Sequence, residues 1–300
     1  MPAESGWTPI AEEAERATRV KHPTDRLPRP HRRRVLAVAN QKGGVGKTTS
    51  TVNLAAGLAL QGLRTLVIDL DPQGNASTAL GVEHRSGTPS VYEVLLGELK
   101  LTDVVAVSPQ SSNLLCVPAT IDLAGSEIEL VSMVARESRL RSALSSAALD
   151  NLGVDYVFID CPPSLGLLTV NALVAAPEVL IPIQCEYYAL EGLGQLLRNI
   201  ELVQAHLNPG LSISTILLTM YDGRTKLADQ VTTEVRNHFG DQVLRTVIPR
   251  SVKVSEAPGY SQTVLAYDPG SRGAMSYVDA AREIAERGAE MPVPPDRDGR

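Results

Sequence analysis

Seven short runs of apolar residues recur along the chain, each seven or eight residues long: RVLAVAN (34–40), TLVIDLD (65–71), NLLCVPA (113–119), DYVFIDC (155–161), EVLIPIQC (178–185), ISTILLTM (213–220) and VLRTVIP (243–249). They are rich in β-branched residues and show little polar alternation, as expected of parallel strands covered on both faces. Between them lie stretches with helical spacing, at 48–61, 121–147, 186–207, 226–238 and 271–287. Strand and helix in alternation predict an α/β fold: one doubly wound, mostly parallel sheet of about seven to eight strands flanked by helices. No internal repeat or long break divides it, so residues 35–288 read as a single domain.

The flanks differ in kind. Residues 1–34 are rich in Pro, Arg and Glu, end in RPHRRR, and read as a flexible extension whose last arginines form a solvated flank. Residues 289–300, AEMPVPPDRDGR, read as a disordered tail. A hydrophobic content of 43% in 300 residues suffices for a substantial core. No apolar run reaches membrane-spanning length and no signal-peptide core opens the chain, which predicts a cytoplasmic protein. Cys116, Cys161 and Cys185 are odd in number and lie in strand-like runs, so they read as reduced, buried thiols with no metal-binding spacing. The net charge of −6 does not favour nucleic acid, but residues 224–253 hold six Arg/Lys against three Asp/Glu. A local field of that kind can still bind a polyanion.

The chemistry concentrates in NQKGGVGKTTSTVNL (40–54). A strand, a glycine loop and a helix opening at Lys-Thr form the context of a phosphate-binding loop. Gly43, Gly44 and Gly46, with Val45 between them, let backbone N–H groups turn inward around phosphate oxygens. Lys47 should pair with the β/γ-phosphates, the Thr48 hydroxyl should hold Mg²⁺, and Thr49 can donate to the α-phosphate. Two apolar strands end in acid, giving Asp69 and Asp71 in LVIDLDPQGN and Asp160 in YVFIDCPPS; Asp160 has the form of a metal-reaching Walker B carboxylate. Lys42 is a second cation at the loop's mouth, and from these residues alone it reads as well as a solvated loop lysine.

KGGVGKTT (42–49), DLDPQGN (69–75) and DCPPS (160–164) resemble the deviant Walker A ATPases of the ParA/MinD class, with Gln41 where the ordinary loop starts with glycine. PATIDLAGSEIEL (118–130), PIQCEYYALEGL (182–193), IPRSVKVSEAPGYSQ (248–262) and YDPGSRGA (267–274) are similar to the chromosomal ParA/Soj branch, and the resemblance spans roughly 35–288. It implies ATP and Mg²⁺ as ligands and a face-to-face homodimer formed in ATP. In that dimer Lys42 reaches the partner's phosphates, and Gly43 allows the close approach. It also implies that Asp71 orients or deprotonates the attacking water, while Asp69 supports the Mg²⁺ shell.

The same resemblance implies a chromosome-partitioning ATPase that binds nonspecific double-stranded DNA and is released on hydrolysis stimulated by a ParB-type centromere-binding protein, hence nucleoid-associated. Arg224 in YDGRTKL and Lys253 in PRSVKV match DNA-binding positions of the family; Lys226, Arg236 and Arg245 could widen the patch. Arg250 is placed as well to touch the nucleoside as DNA, and Met220 and Pro249 are candidates to line the base. A polar scaffold protein is a further candidate partner for the N-terminal segment. The alternative is a MinD-type membrane-associated division-site ATPase, which needs a C-terminal amphipathic helix with a basic rim. The proline- and acid-containing end of this chain lacks one. A third alternative, a nitrogenase-iron-protein-like ATPase, needs cluster-ligating cysteines, and Cys161 has no suitable second. The expectation is therefore of no membrane partner.

Overall fold

The computed structural model describes residues 8–23, 26–187 and 193–290. Eight strands form one sheet: β1 (Arg34–Val38), β2 (Thr65–Asp69), β3 (Ala106–Val107), β4 (Leu114–Val117), β5 (Tyr156–Asp160), β6 (Glu178–Gln184), β7 (Ser212–Tyr221) and β8 (Val243–Pro249). Their order is β3-β4-β2-β5-β1-β6-β7-β8, parallel throughout except where β3 runs antiparallel to β4. All seven apolar runs are strands. The eighth, the two-residue β3, is too short to leave a periodic trace.

Why those runs lack polar alternation is visible in β1 and β5. Val35, Ala37, Val157 and Ile159 face one apolar cluster; Leu36, Val38, Tyr156 and Phe158 face another on the opposite side of the sheet. Successive side chains point to opposite faces, and both faces are covered. The helix Lys47–Leu60 and the C-terminal helix Arg272–Glu290 pack on the second face, where Gly57 approaches Ala281 so closely that a Cβ there would stand 2.9 Å from the alanine methyl. Leu193–His206 and Lys226–Phe239 cover the first.

Two expectations need correction. The single helix over 121–147 is broken into Leu123–Val131, a 3₁₀ turn at Arg136–Ser138, and Arg139–Ala143. Ala135 takes a left-handed backbone, and the Asn171 amide, from a neighbouring helix, bonds both the Arg136 carbonyl and the Leu140 N–H. Tertiary hydrogen bonds override local propensity here. The flexible extension is also structured in part: Pro9–Lys21 is a helix capped by the Thr8 hydroxyl, with Val20 buried and Arg16 donating to the Gly270 carbonyl. Among the described side chains of this charged helix Val20 is the one buried apolar residue, too little pattern to read. Residues 1–7, 24–25 and the tail from 291 lie outside the described residues.

Nor is the arginine flank simply solvated. The side chains of Arg34 and Glu178 are 2% and 5% exposed, and the guanidinium grips both carboxylate oxygens and donates to the Ile284 carbonyl at 3.0 Å. This pair ties the start of β1 to the start of β6 and to the C-terminal helix. A buried ion pair is costly to break by halves, because the survivor is left charged in an apolar setting. Glu178→Leu should therefore cost about 3–5 kcal/mol in urea unfolding. Arg34→Met combined with Glu178→Leu should recover most of that loss.

Candidate active site

The chain leaves β1 at the point where the strand order reverses, with β5 on one side and β6 on the other. Such a switch point opens a crevice at the strands' carboxyl ends. Asn40 fixes the exit: its amide donates to the Pro182 carbonyl at 2.8 Å and its oxygen accepts from the Lys42 N–H at 3.0 Å. Further along, the Thr219 hydroxyl at the end of β7 donates to the Val45 carbonyl at 2.9 Å. The loop is thus pinned at both shoulders, with Val45 buried as its anchor. Gly44 and Gly46 have φ of +74° and +89°, a region that other residues enter at a cost, and Gly46 caps the helix Lys47–Leu60. Gly43 has neither constraint: a Cβ there would meet nothing within 4 Å.

Lys47 is buried, with its ammonium 3.4 Å from the Lys42 carbonyl across the loop. Burial lowers its pKa, opposed by the nearby Asp160. Asp160, at the end of β5, accepts from the Thr48 hydroxyl at 2.7 Å and from the Thr51 hydroxyl at 3.1 Å. Asp69 and Asp160 are register partners on adjacent strands. Burial first, then the neighbouring Asp69, push Asp160 up to about 8; burial pushes Asp69 up to about 6. A cation between the Thr48 hydroxyl and Asp160 would relieve that cost. Among the described residues no three His, Cys, Asp or Glu side chains converge on a metal position. That suits Mg²⁺, which takes one or two protein oxygens and completes its shell with phosphates and water.

Asp69 is committed elsewhere. One oxygen accepts from the Ser77 N–H and hydroxyl at 2.9 and 2.8 Å, the other from the Asp71 N–H at 3.1 Å. It shapes the turn that presents Asp71, which is half-buried and accepts from the Gln73 N–H. Lys42, partly exposed, places its ammonium 3.6 Å from Glu186, beyond the end of β6. Glu186 also holds Arg250 at 3.3 Å. Met220 takes a left-handed backbone (φ 52°) beside Thr219, and Pro249 is register partner to Tyr221 on the adjacent strand. Thr49 is half-buried, next to the loop. Arg224 and Lys253 lie apart from the loop, at the ends of β7 and just past β8, paired with Asp222 and Glu256. Glu186, Thr51, Ser77 and Thr219 are site residues that sequence reasoning missed. Thr51, Glu186 and Thr219 stood within quoted stretches, whereas Ser77 lies just past DLDPQGN.

The AAA-domain family model AAA_31 matches residues 33–213. The sporulation initiation inhibitor protein Soj of Bacillus subtilis is 52% identical over 255 residues, covering 85% of this chain and 99% of Soj. The chromosome partitioning protein ParA of Caulobacter vibrioides (strain NA1000 / CB15N) is 52% identical over 254 residues, covering 85% and 94%. The chain belongs to the ParA/Soj family of chromosome-partitioning ATPases. Among solved structures, cobyrinic acid a,c-diamide synthase from Mycobacterium smegmatis with bound ATP analog and magnesium superposes with a TM-score of 0.73 at 41% identity, over 87% of this chain and 99% of that one.

The glycines of this ParA/Soj loop make separable predictions. Gly46→Ala should lose roughly 1–2 kcal/mol of stability, because φ +89° strains any L side chain. It should also weaken nucleotide binding. Gly43→Val should leave the melting temperature and the affinity for a fluorescent ATP analogue of the isolated subunit unchanged.

Proposed function

We propose that this chain is an ATP-driven chromosome-partitioning switch. Two ATP-bound copies pair face to face and grip double-stranded DNA without regard to sequence; they let go when a ParB-type centromere-binding protein stimulates hydrolysis. The observation that carries this reading is the division of labour between the two lysines. Lys47 is folded into its own loop, whereas the Lys42 side chain is 37% exposed with its ammonium 3.6 Å from Glu186. A cation so placed does little for its own phosphates and is available to a neighbour's. Supplied across a dimer, it would neutralise charge that develops during phosphoryl transfer and make hydrolysis conditional on pairing. The open space around Gly43 supports this: a Cβ there would meet nothing within 4 Å in the subunit itself, which leaves room for a second copy to approach.

Within each subunit, Lys47 and the loop N–H groups hold the phosphates. Mg²⁺, carried by Thr48 and Asp160, supplies further charge neutralisation when bound. Thr51 fixes the second oxygen of Asp160, and Val45 and Asn40 hold the loop's shape. Asp71 orients or deprotonates the attacking water from the turn that Asp69 braces, so Asp69 acts by positioning and not as a direct metal ligand. Met220, Pro249 and Arg250 border the nucleoside. Arg224 and Lys253 contact DNA phosphates, on a surface that pairing doubles. The protein works in the cytoplasm on the nucleoid.

Membrane binding in the manner of MinD finds no support in the C-terminal helix, whose Tyr277, Ala281 and Ile284 are buried against the sheet. No helix of the described residues is long and apolar enough to cross a membrane.

Affinity for random-sequence duplex, measured in ATP and in ADP at two salt concentrations, tests the reading directly. Binding should be strong only with ATP and should fall steeply with salt; equal affinity in both nucleotides would refute it. In turnover assays, Lys42→Ala should lose partner-stimulated hydrolysis by about a hundredfold to a thousandfold while still binding ATP. Undiminished stimulation would remove Lys42 from its role.

A further inference from the structure

The cations assigned to DNA are not bare. Arg224 makes a two-pronged contact with Asp222, Nε to Oδ1 at 2.8 Å and NH2 to Oδ2 at 2.7 Å. Lys253 lies 3.3 Å from Glu256, which also accepts from the Tyr267 hydroxyl, and its ammonium sits 5.6 Å from the Tyr267 ring centre. Arg250, whose N–H donates to the Tyr221 carbonyl beside Asp222, is paired with Glu186. Three cations therefore meet three carboxylates along the ends of β6, β7 and β8. By contrast, Lys226 makes no ion pair or hydrogen bond among the described residues.

We infer that Asp222 and Glu256 are built-in competitors of DNA phosphate that hold the DNA surface of each copy near neutrality. The inference rests on the assignment of Arg224 and Lys253 to DNA and adds its regulation. To reach a phosphate, Arg224 must leave a carboxylate of matching fork geometry, and Lys253 must leave one within contact distance. An exposed pair of this kind contributes little to stability by itself; Asp222 also accepts from the Arg224 backbone N–H at 3.1 Å, a turn contact that an amide oxygen in its place would keep. Their effect on a polyanion is larger, because each sits where a phosphate would sit and repels it. The local charges show how closely the partners interact: hydrogen bonds from Arg224 hold the Asp222 carboxyl down at about 2, and Glu256 raises the Lys253 ammonium. A neutralised patch on one copy gives weak binding. Two such patches on a rigid pair share the cost of displacement and the release of counterions, so a threshold separates one copy from two.

The test is binding of random-sequence duplex to the full chain carrying Asp222→Asn and Glu256→Gln together, in ATP and in ADP, at low and moderate salt. Both amides keep the size of the acid and one acceptor oxygen, and remove the charge. Arg224→Ala with Lys253→Ala is measured alongside. The amide pair should tighten binding by about tenfold at low salt in both nucleotides. The gain should shrink as salt rises, and the separation between ATP and ADP should narrow at any fixed protein concentration. If the alanine pair weakens binding while the amide pair changes nothing, the competitors are refuted and the DNA surface stands. A gain confined to ATP refutes them too, since each copy carries its own acids. If the alanine pair leaves binding intact, the DNA surface lies elsewhere and the inference falls with it.

Discussion

A carboxylate at the end of an interior strand holds the first turn of the loop helix in place, and most of the site follows from that contact. Asp160 is wholly buried, and its two oxygens take the hydroxyls of Thr48 and Thr51. The contact fixes the helix axis against β5, and so sets the angle at which the glycine loop turns out of β1. With the helix fixed, Lys47 can point only back over the loop. The cost of the arrangement is electrostatic: a buried acid beside a second buried acid is hard to ionise. That cost makes the place receptive to a small hard cation.

Around this fixed centre the charges alternate outward. Lys42, Glu186 and Arg250 form a row on the rim, and Asp222 and Arg224 continue it past the end of β7. The inner site is rigid because its polar groups are buried and matched. The outer row is partly exposed, so its pairings are weak and exchangeable. The proposed switch needs that contrast: a pocket that does not rearrange, ringed by cations that can change partners.

Much of this was legible in the chain. The seven interior strands are legible because both faces of a parallel sheet are apolar, and the loop because GKTT after a strand admits few other readings. Asp160 was legible as a strand-end acid, but its grip on Thr51 was not, since the second hydroxyl reaches it only once the helix is wound. Asp69 shows the converse. Its position suggested metal, yet three donors from its own turn occupy it. Spacing in sequence does not say which neighbours a carboxylate finds first. The N-terminal helix escaped notice because its hold on the domain comes from one valine and an arginine bonded to a carbonyl more than two hundred residues away.

The Ser77 side chain has a further consequence. Its oxygen donates to Asp69 at 2.8 Å and accepts from the Ala119 N–H at 3.1 Å, so one small hydroxyl rivets the turn after β2 to the backbone that leaves β4. The turn that carries Asp71 is therefore braced against its neighbour. Any displacement of Asp71 must carry the neighbouring strand's exit along with it, and the two segments behave mechanically as one plate.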